Sequence, residues 1–241
     1  MFIRGAYFQD RMANGKPDLF EFLSRYYTPA RQLEMKPMMI LDTSAIIDME
    51  RAFQKQYGLR KSYRFLEQLE RTAPGVECII PPKIKKEIET HALTSTINGR
   101  PEIATNTYEL LQYLPEEYAP LKAFVAEQHQ RLDKARYFLR QMHYANIEGK
   151  KCTRDPISQS DWEVIDMGIS LGVFAEETFR RNTTKGIINP FHSCPKISVL
   201  SSDYHIIWTI ERAFQEPEGV EVGNYLKAVD VRRYALESEV K

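Results

Sequence analysis

The chain has 241 residues, 43% hydrophobic and 27% charged, with 33 basic residues balanced by 33 acidic ones. That length suffices for one generous domain with a sizeable apolar core, and the lack of Gly- or Pro-rich tracts excludes fibrous, repeat and disordered chains. A neutral sum gives no overall affinity for polyanions, yet carboxylates gathered in one place would leave the remaining surface relatively basic.

No stretch approaches the ~20 uninterrupted apolar residues of a spanning helix, and the N-terminal residues contain no apolar run followed by a cleavage site. The expected setting is intracellular and cytoplasmic. Cys78, Cys152 and Cys194 are widely spaced and form no Cys-x-x-Cys pair, which argues against a disulfide framework and a structural zinc site.

Residues 1–37 mix Arg, Tyr and Phe with Asn-Gly and Lys-Pro breakers and are expected to be an extension before the first strand, Met38 to Leu41. Near-helical apolar spacing predicts a helix over Phe53 to Arg71, and a short strand follows at Cys78 to Ile80. Pro81 and Pro82 can open a helix with Ile84, Ile88 and Ala92 on one stripe. Two or three helices are expected from Pro101 to Asn146, with breaks near Pro115 and Pro120, so that about 115–150 forms a helical insertion. A helix over Ser158 to Val173, a strand over Lys196 to Leu200, a helix over Tyr204 to Phe214 and a short strand at Val220 to Val222 complete residues 38–223. Residues 224–241 are expected to be a helical tail. Strands alternating with helices imply a parallel sheet with helices on both faces and ligands beyond the carboxyl ends of its strands.

Two acids fall on that rim. Asp42 directly follows the strand MMIL, and Asp203 comes shortly after KISVL. Glu87 lies about 60° round the helix from Ile84 at ~3.6 residues per turn, on the edge of the apolar stripe. Asp161 shares a helix face with Val164, Ile165 and Gly168, although a carboxylate is expensive to bury without a partner. Three or four acids converging on a partly buried rim ask for hard cations, Mg²⁺ or Mn²⁺. Each acid also has a plainer reading. Asp161 follows Ser158 by three residues, as in an acidic capping box; Asp42 and Asp203 could cap the helices after them; Glu87 could be a surface residue of a Lys-rich helix.

The blocks LDTSAIID, PPKIKKEIETH, SQSDWEVIDMGISLG and ISVLSSDYHI, in this order, resemble the PIN-domain nuclease family. The resemblance spans most of residues 38 to 215 and implies a three-layer α/β/α PIN-like domain with a central parallel sheet. It further implies that Asp42, Glu87, Asp161 and Asp203 are metal-binding and catalytic, with Ser44 and Ser201 as supporting hydroxyls, in an endoribonuclease that hydrolyses RNA phosphodiesters. Glu87 and Asp161 are 74 positions apart, and Asp161 and Asp203 are 42 apart. Both gaps exceed those of compact toxin-type members. The helical insertion is similar to that of small protein-only ribonuclease P enzymes, which points to RNA processing, with precursor transfer RNA as a substrate. The second gap is read as a loop around Arg180, Arg181, Lys185 and Pro190.

Arg136, Arg140 and Arg154 in and after the insertion, and Arg180, Arg181 and Lys185 near the second gap, are candidate RNA contacts, although Glu127 and Asp133 interleave with the first group as on a solvated helix face. The five histidines show no zinc or di-iron spacing. Position 44 is Ser, so the Asp-x-Asp of an aspartyl-phosphate enzyme is missing, and no Gly-rich first turn supports a dinucleotide fold. A PIN-like RNA-binding or assembly module without catalysis, and a DNA-directed or toxin-type nuclease, stay open beside the ribonuclease reading. The insertion could also mediate homo-oligomer formation.

Overall fold

The computed structural model describes residues 12–13, 16–27, 37–94, 99, 101–127, 133, 136–137, 157–186, 196–213 and 225–236. Its centre is a four-stranded, wholly parallel sheet of β3 (Met38–Leu41), β4 (Glu77–Ile79), β5 (Ile197–Ser201) and β6 (Leu226–Asp230), in the order β4-β3-β5-β6. Met38 to Leu41 are wholly buried, as are Ile197, Val199 and Leu200. Near-continuous apolar runs are what a parallel sheet covered on both faces requires. A small antiparallel ribbon, β1 (Met12–Ala13) with β2 (Lys16–Pro17), stands apart from it.

Around the sheet lie α1 (Leu19–Tyr27), α2 (Thr43–Tyr57), α3 (Arg64–Thr72), α4 (Pro82–Leu93), α5 (Thr105–Gln112), α6 (Ala119–Glu127), α7 (Gln159–Thr184) and α8 (Tyr204–Ala213). Helices α1 and α2 both pack on α3, while α6 and α8 pack on α7, which lies against β5 and β6. This mixed α/β arrangement is compatible with the expected three layers. No described helix is long and apolar enough to cross a membrane.

Four elements differ from the sequence expectation. The single helix over 53–71 is instead α2, a 3₁₀ turn at Leu59–Lys61, and α3. Gly58 breaks it at φ 77°, a left-handed conformation that costs glycine nothing sterically. Residues 19–27 are not an appendage: α1 buries Leu19, Phe20, Leu23 and Tyr27, and the Tyr27 hydroxyl donates to the Met38 carbonyl at 2.9 Å and meets the Ser198 hydroxyl. The helical tail expected from 224 is a strand, β6, followed by a 3₁₀ turn at Val231–Arg233. Pairing with β5 overrides the helix-forming Leu, Lys and Ala of that segment. Finally, α7 continues to Thr184, so Arg180 and Arg181 are helical and Lys185 is its C-cap, not residues of a loop. Helices α5 and α6 fall within the run of helices expected from Pro101 to Asn146, and α6 alone lies in the expected insertion at about 115–150; the strand at 220–222 and most of 128–156 lie outside the described residues.

Candidate functional site

The parallel register sets the site. β3 and β5 pair Leu41 with Leu200, so Asp42 and Ser201 leave the sheet side by side, and the Asp42 amide donates to the Leu200 carbonyl at 3.0 Å. Asp42 occupies the N-cap position of α2, but its side chain makes no capping bond. Its Oδ2 instead accepts the Ser44 hydroxyl and, at 2.7 Å, the Ser201 hydroxyl. Ser44 in turn accepts the Ser202 amide at 2.8 Å, and Ser201 accepts the Asp203 amide at 2.9 Å. The Asp-Thr-Ser and Ser-Ser-Asp blocks are thus one network across two strand ends.

The other acids arrive on helices. Glu87, on α4, is held at both oxygens by hydroxyls: Thr43 donates to Oε2 at 2.9 Å, and Ser160 donates to Oε1. Asp161, in the first turn of α7, makes the capping box with Ser158, its Oδ2 accepting the Ser158 amide at 2.8 Å while its amide donates to the Ser158 hydroxyl. Asp203 precedes α8, and its Oδ1 accepts the His205 amide at 2.6 Å. The plainer helix-capping readings therefore hold for Asp161 and Asp203 and fail for Asp42.

Oxygen accounting shows what capping leaves over. Among the described residues, no donor bonds Oδ1 of Asp42, Oδ1 of Asp161 or Oδ2 of Asp203, and none of the four acids forms an ion pair. Burial is the main cause that pushes Asp42 up to about 6; the two serine hydroxyls work against it, and the charges of Asp161 and Asp203 add to it. Burial likewise raises Asp161 against its Ser158 bonds, with Asp203 and Glu87 pushing it further. The acids therefore act on one another electrostatically. Hard oxygen donors with spare lone pairs fit a divalent cation, but as placed, no three His, Cys, Asp or Glu side chains among the described residues stand close enough to hold one ion.

The proposed basic contacts are placed less favourably. Arg136 pairs with Asp166 at 3.3 Å and Asp133 at 3.4 Å, and donates toward Ser170 on α7 at 3.4 Å. Arg180 pairs with the buried Glu176 at 2.6 Å. Arg140 and Arg154 lie outside the described residues. Sequence reasoning passed over Thr43 and Ser160, the two hydroxyls that fix Glu87; the only available signal was that each adjoins an expected site acid. An apolar groove lined by Met39, Leu66, Leu69, Val76, Cys78 and Leu114 contains none of the acids. Compared with protein-family models, curated proteins and solved structures, the chain matches none.

Proposed function

We propose that the rim formed by Asp42, Glu87, Asp161 and Asp203 is the divalent-metal site of a PIN-like endoribonuclease that hydrolyses RNA phosphodiesters, with precursor transfer RNA as a substrate class. The observation that carries this reading is that Asp42 and Asp203 at the sheet's carboxyl edge and Asp161 at the start of α7 each keep one oxygen uncommitted, with Asp161 and Asp203 acting on Asp42 by charge and none of the three in an ion pair. Asp42, Asp161 and Asp203 would hold Mg²⁺ or Mn²⁺ through those oxygens, with Glu87 beside them. When bound, such an ion lowers the pKa of an attacking water and stabilises the departing 3′ oxygen. Ser44 and Ser201 orient Asp42, and Thr43 and Ser160 orient Glu87, so the carboxylates are presented in fixed directions.

Incubation of the purified chain with labelled precursor transfer RNA, mixed RNA and single-stranded DNA, each with Mg²⁺, Mn²⁺ or EDTA, tests the reading. Metal-dependent cleavage of RNA is expected, with Asp42→Asn and Asp203→Asn folded but inactive. Full activity in both variants would sink the site assignment. The lack of a ready three-ligand set favours a second reading, a non-catalytic RNA-binding or assembly module of the same fold. Binding of RNA without cleavage under every metal condition would select it.

A further inference from the structure

Asp230 ends β6 opposite Ser201 of β5, in parallel register. Two residues beyond each lie Arg232 and Asp203, so both leave the sheet at the same carboxyl rim. The Asp230 carboxylate, 8% exposed, grips two guanidiniums. Arg232 donates from Nε to Oδ1 at 3.0 Å and from Nη2 to Oδ2 at 3.3 Å, and Arg233 donates from Nε to Oδ2 at 3.2 Å. The Arg232 amide also donates to Oδ1 at 3.1 Å, which fixes the 3₁₀ turn beneath its own side chain. Lys16 adds a third cation, with Nζ donating to the Arg232 carbonyl at 2.7 Å.

One buried carboxylate needs one guanidinium. Here it holds two, whose side chains stay 50% and 64% exposed, so a net positive charge is fixed at the surface. Burial alone would raise Asp230, but the hydrogen bonds and charge of Arg232, then the charge of Arg233, outweigh it and keep the carboxyl ionised. The hydrogen bond to Asp230 is the main cause that holds Arg232 above its ordinary value; burial opposes it, and Asp230, Asp48 and Asp203 add to it. The guanidinium is therefore within electrostatic reach of the acidic rim. A rim of carboxylates repels a polyanion, and a pre-oriented guanidinium pair beside it supplies bidentate donors suited to phosphate oxygens.

We infer that Arg232 and Arg233, fixed by Asp230, contact the nucleic-acid backbone phosphates that flank the acidic rim. This rests on reading the rim as a nuclease site. The test is binding of fluorescein-labelled precursor transfer RNA in EDTA over a range of salt, so that it needs no cleavage, with melting temperatures recorded for every variant. Arg233→Ala, which gives up a single bond to Asp230, and the Arg232→Gln/Arg233→Gln pair should each weaken binding and make the slope of log K against log salt shallower by about 0.7 per arginine removed. Arg232→Lys should retain the slope because it keeps the charge, while losing the bidentate fit. An equal loss on single-stranded DNA supports a contact to phosphate rather than to the 2′-hydroxyl.

An unchanged slope in folded Arg233→Ala overturns the inference, as does a native chain that binds no RNA. If binding depends on these arginines but no metal supports cleavage, the nuclease reading falls and the phosphate contact stands. If cleavage occurs and the salt slope ignores both arginines, the reverse holds.

Discussion

Asp42 combines deep burial, two serine donors on one oxygen and no ion-pair partner, so the protein is destabilised when this group ionises. Its folded pKa of about 6 exceeds the ordinary value of 3.8. A raised folded value means that the native state binds the extra proton, so stability is greater below pH 4, falls through pH 4 to 6, and stays low above. At ~1.4 kcal/mol per pKa unit the loss is about 3 kcal/mol. Asp42→Asn should therefore melt higher than the native chain in EDTA at pH 8, with the gap closing toward pH 4; a variant less stable than native at pH 8 would contradict this. Glu87 poses the opposite case, since both its oxygens are satisfied. Replacing Thr43 with Val or Ser160 with Ala should weaken Mg²⁺ binding about 10- to 100-fold, measured by calorimetry, with the fold intact. Asp42 and Asp203 were legible because an acid after a buried apolar run marks a strand end. Thr43 and Ser160 were not, because a hydroxyl's role depends on which helix a long-range packing brings opposite it.

At the level of elements, local periodicity found several helices but not α1, joined the end of α2 to α3, and missed what only pairing decides. The stripe of Ile84, Ile88 and Ala92 gave α4, and the Ser158 cap gave the start of α7. The strand β6 carries helix-forming residues and exists because β5 offers a parallel edge. The seat of α7 on that pair depends on Gly168. A Cβ there would lie 3.0 Å from Val199 Cγ2 and 3.6 Å from the nearest Leu226 methyl, and Val199 is wholly buried on an inner strand with little room to shift. Gly168→Val should cost about 1–3 kcal/mol through overpacking. It should also weaken metal binding, because the same helix presents Ser160 and Asp161 to the rim; a Tm unchanged from native would show that α7 is free to lift from the sheet.

Across the molecule, the segment from Pro17 through α1 and the segment from β6 to Ala235 close on each other. The Leu19 amide donates to the Ala235 carbonyl at 3.1 Å, and the Ala235 amide donates to Pro17 at 2.8 Å. Lys227 on β6 lies 4.4 Å from the Phe22 ring centroid, and the Phe22 and Tyr234 rings meet at 5.1 Å. A boundary at residue 37 follows naturally from the sequence, because the Asn-Gly and Lys-Pro breakers ahead of the strong strand at 38 look like an extension before a domain start. It cuts through the core. Deleting residues 1–36 would expose the surfaces that Leu19, Phe20, Leu23 and Tyr27 cover, each worth about 1.5–3 kcal/mol. Together these are comparable to the ~5–15 kcal/mol that separates a typical domain from its unfolded chain. The truncated protein should therefore be unfolded or aggregated, as read by circular dichroism and size exclusion, and it should lose RNA binding as well, because Lys16 and the anchored turn at Arg232 go with it. A cooperative, native-like melt of the 1–36 deletion would show instead that residues 38–236 fold without this closure.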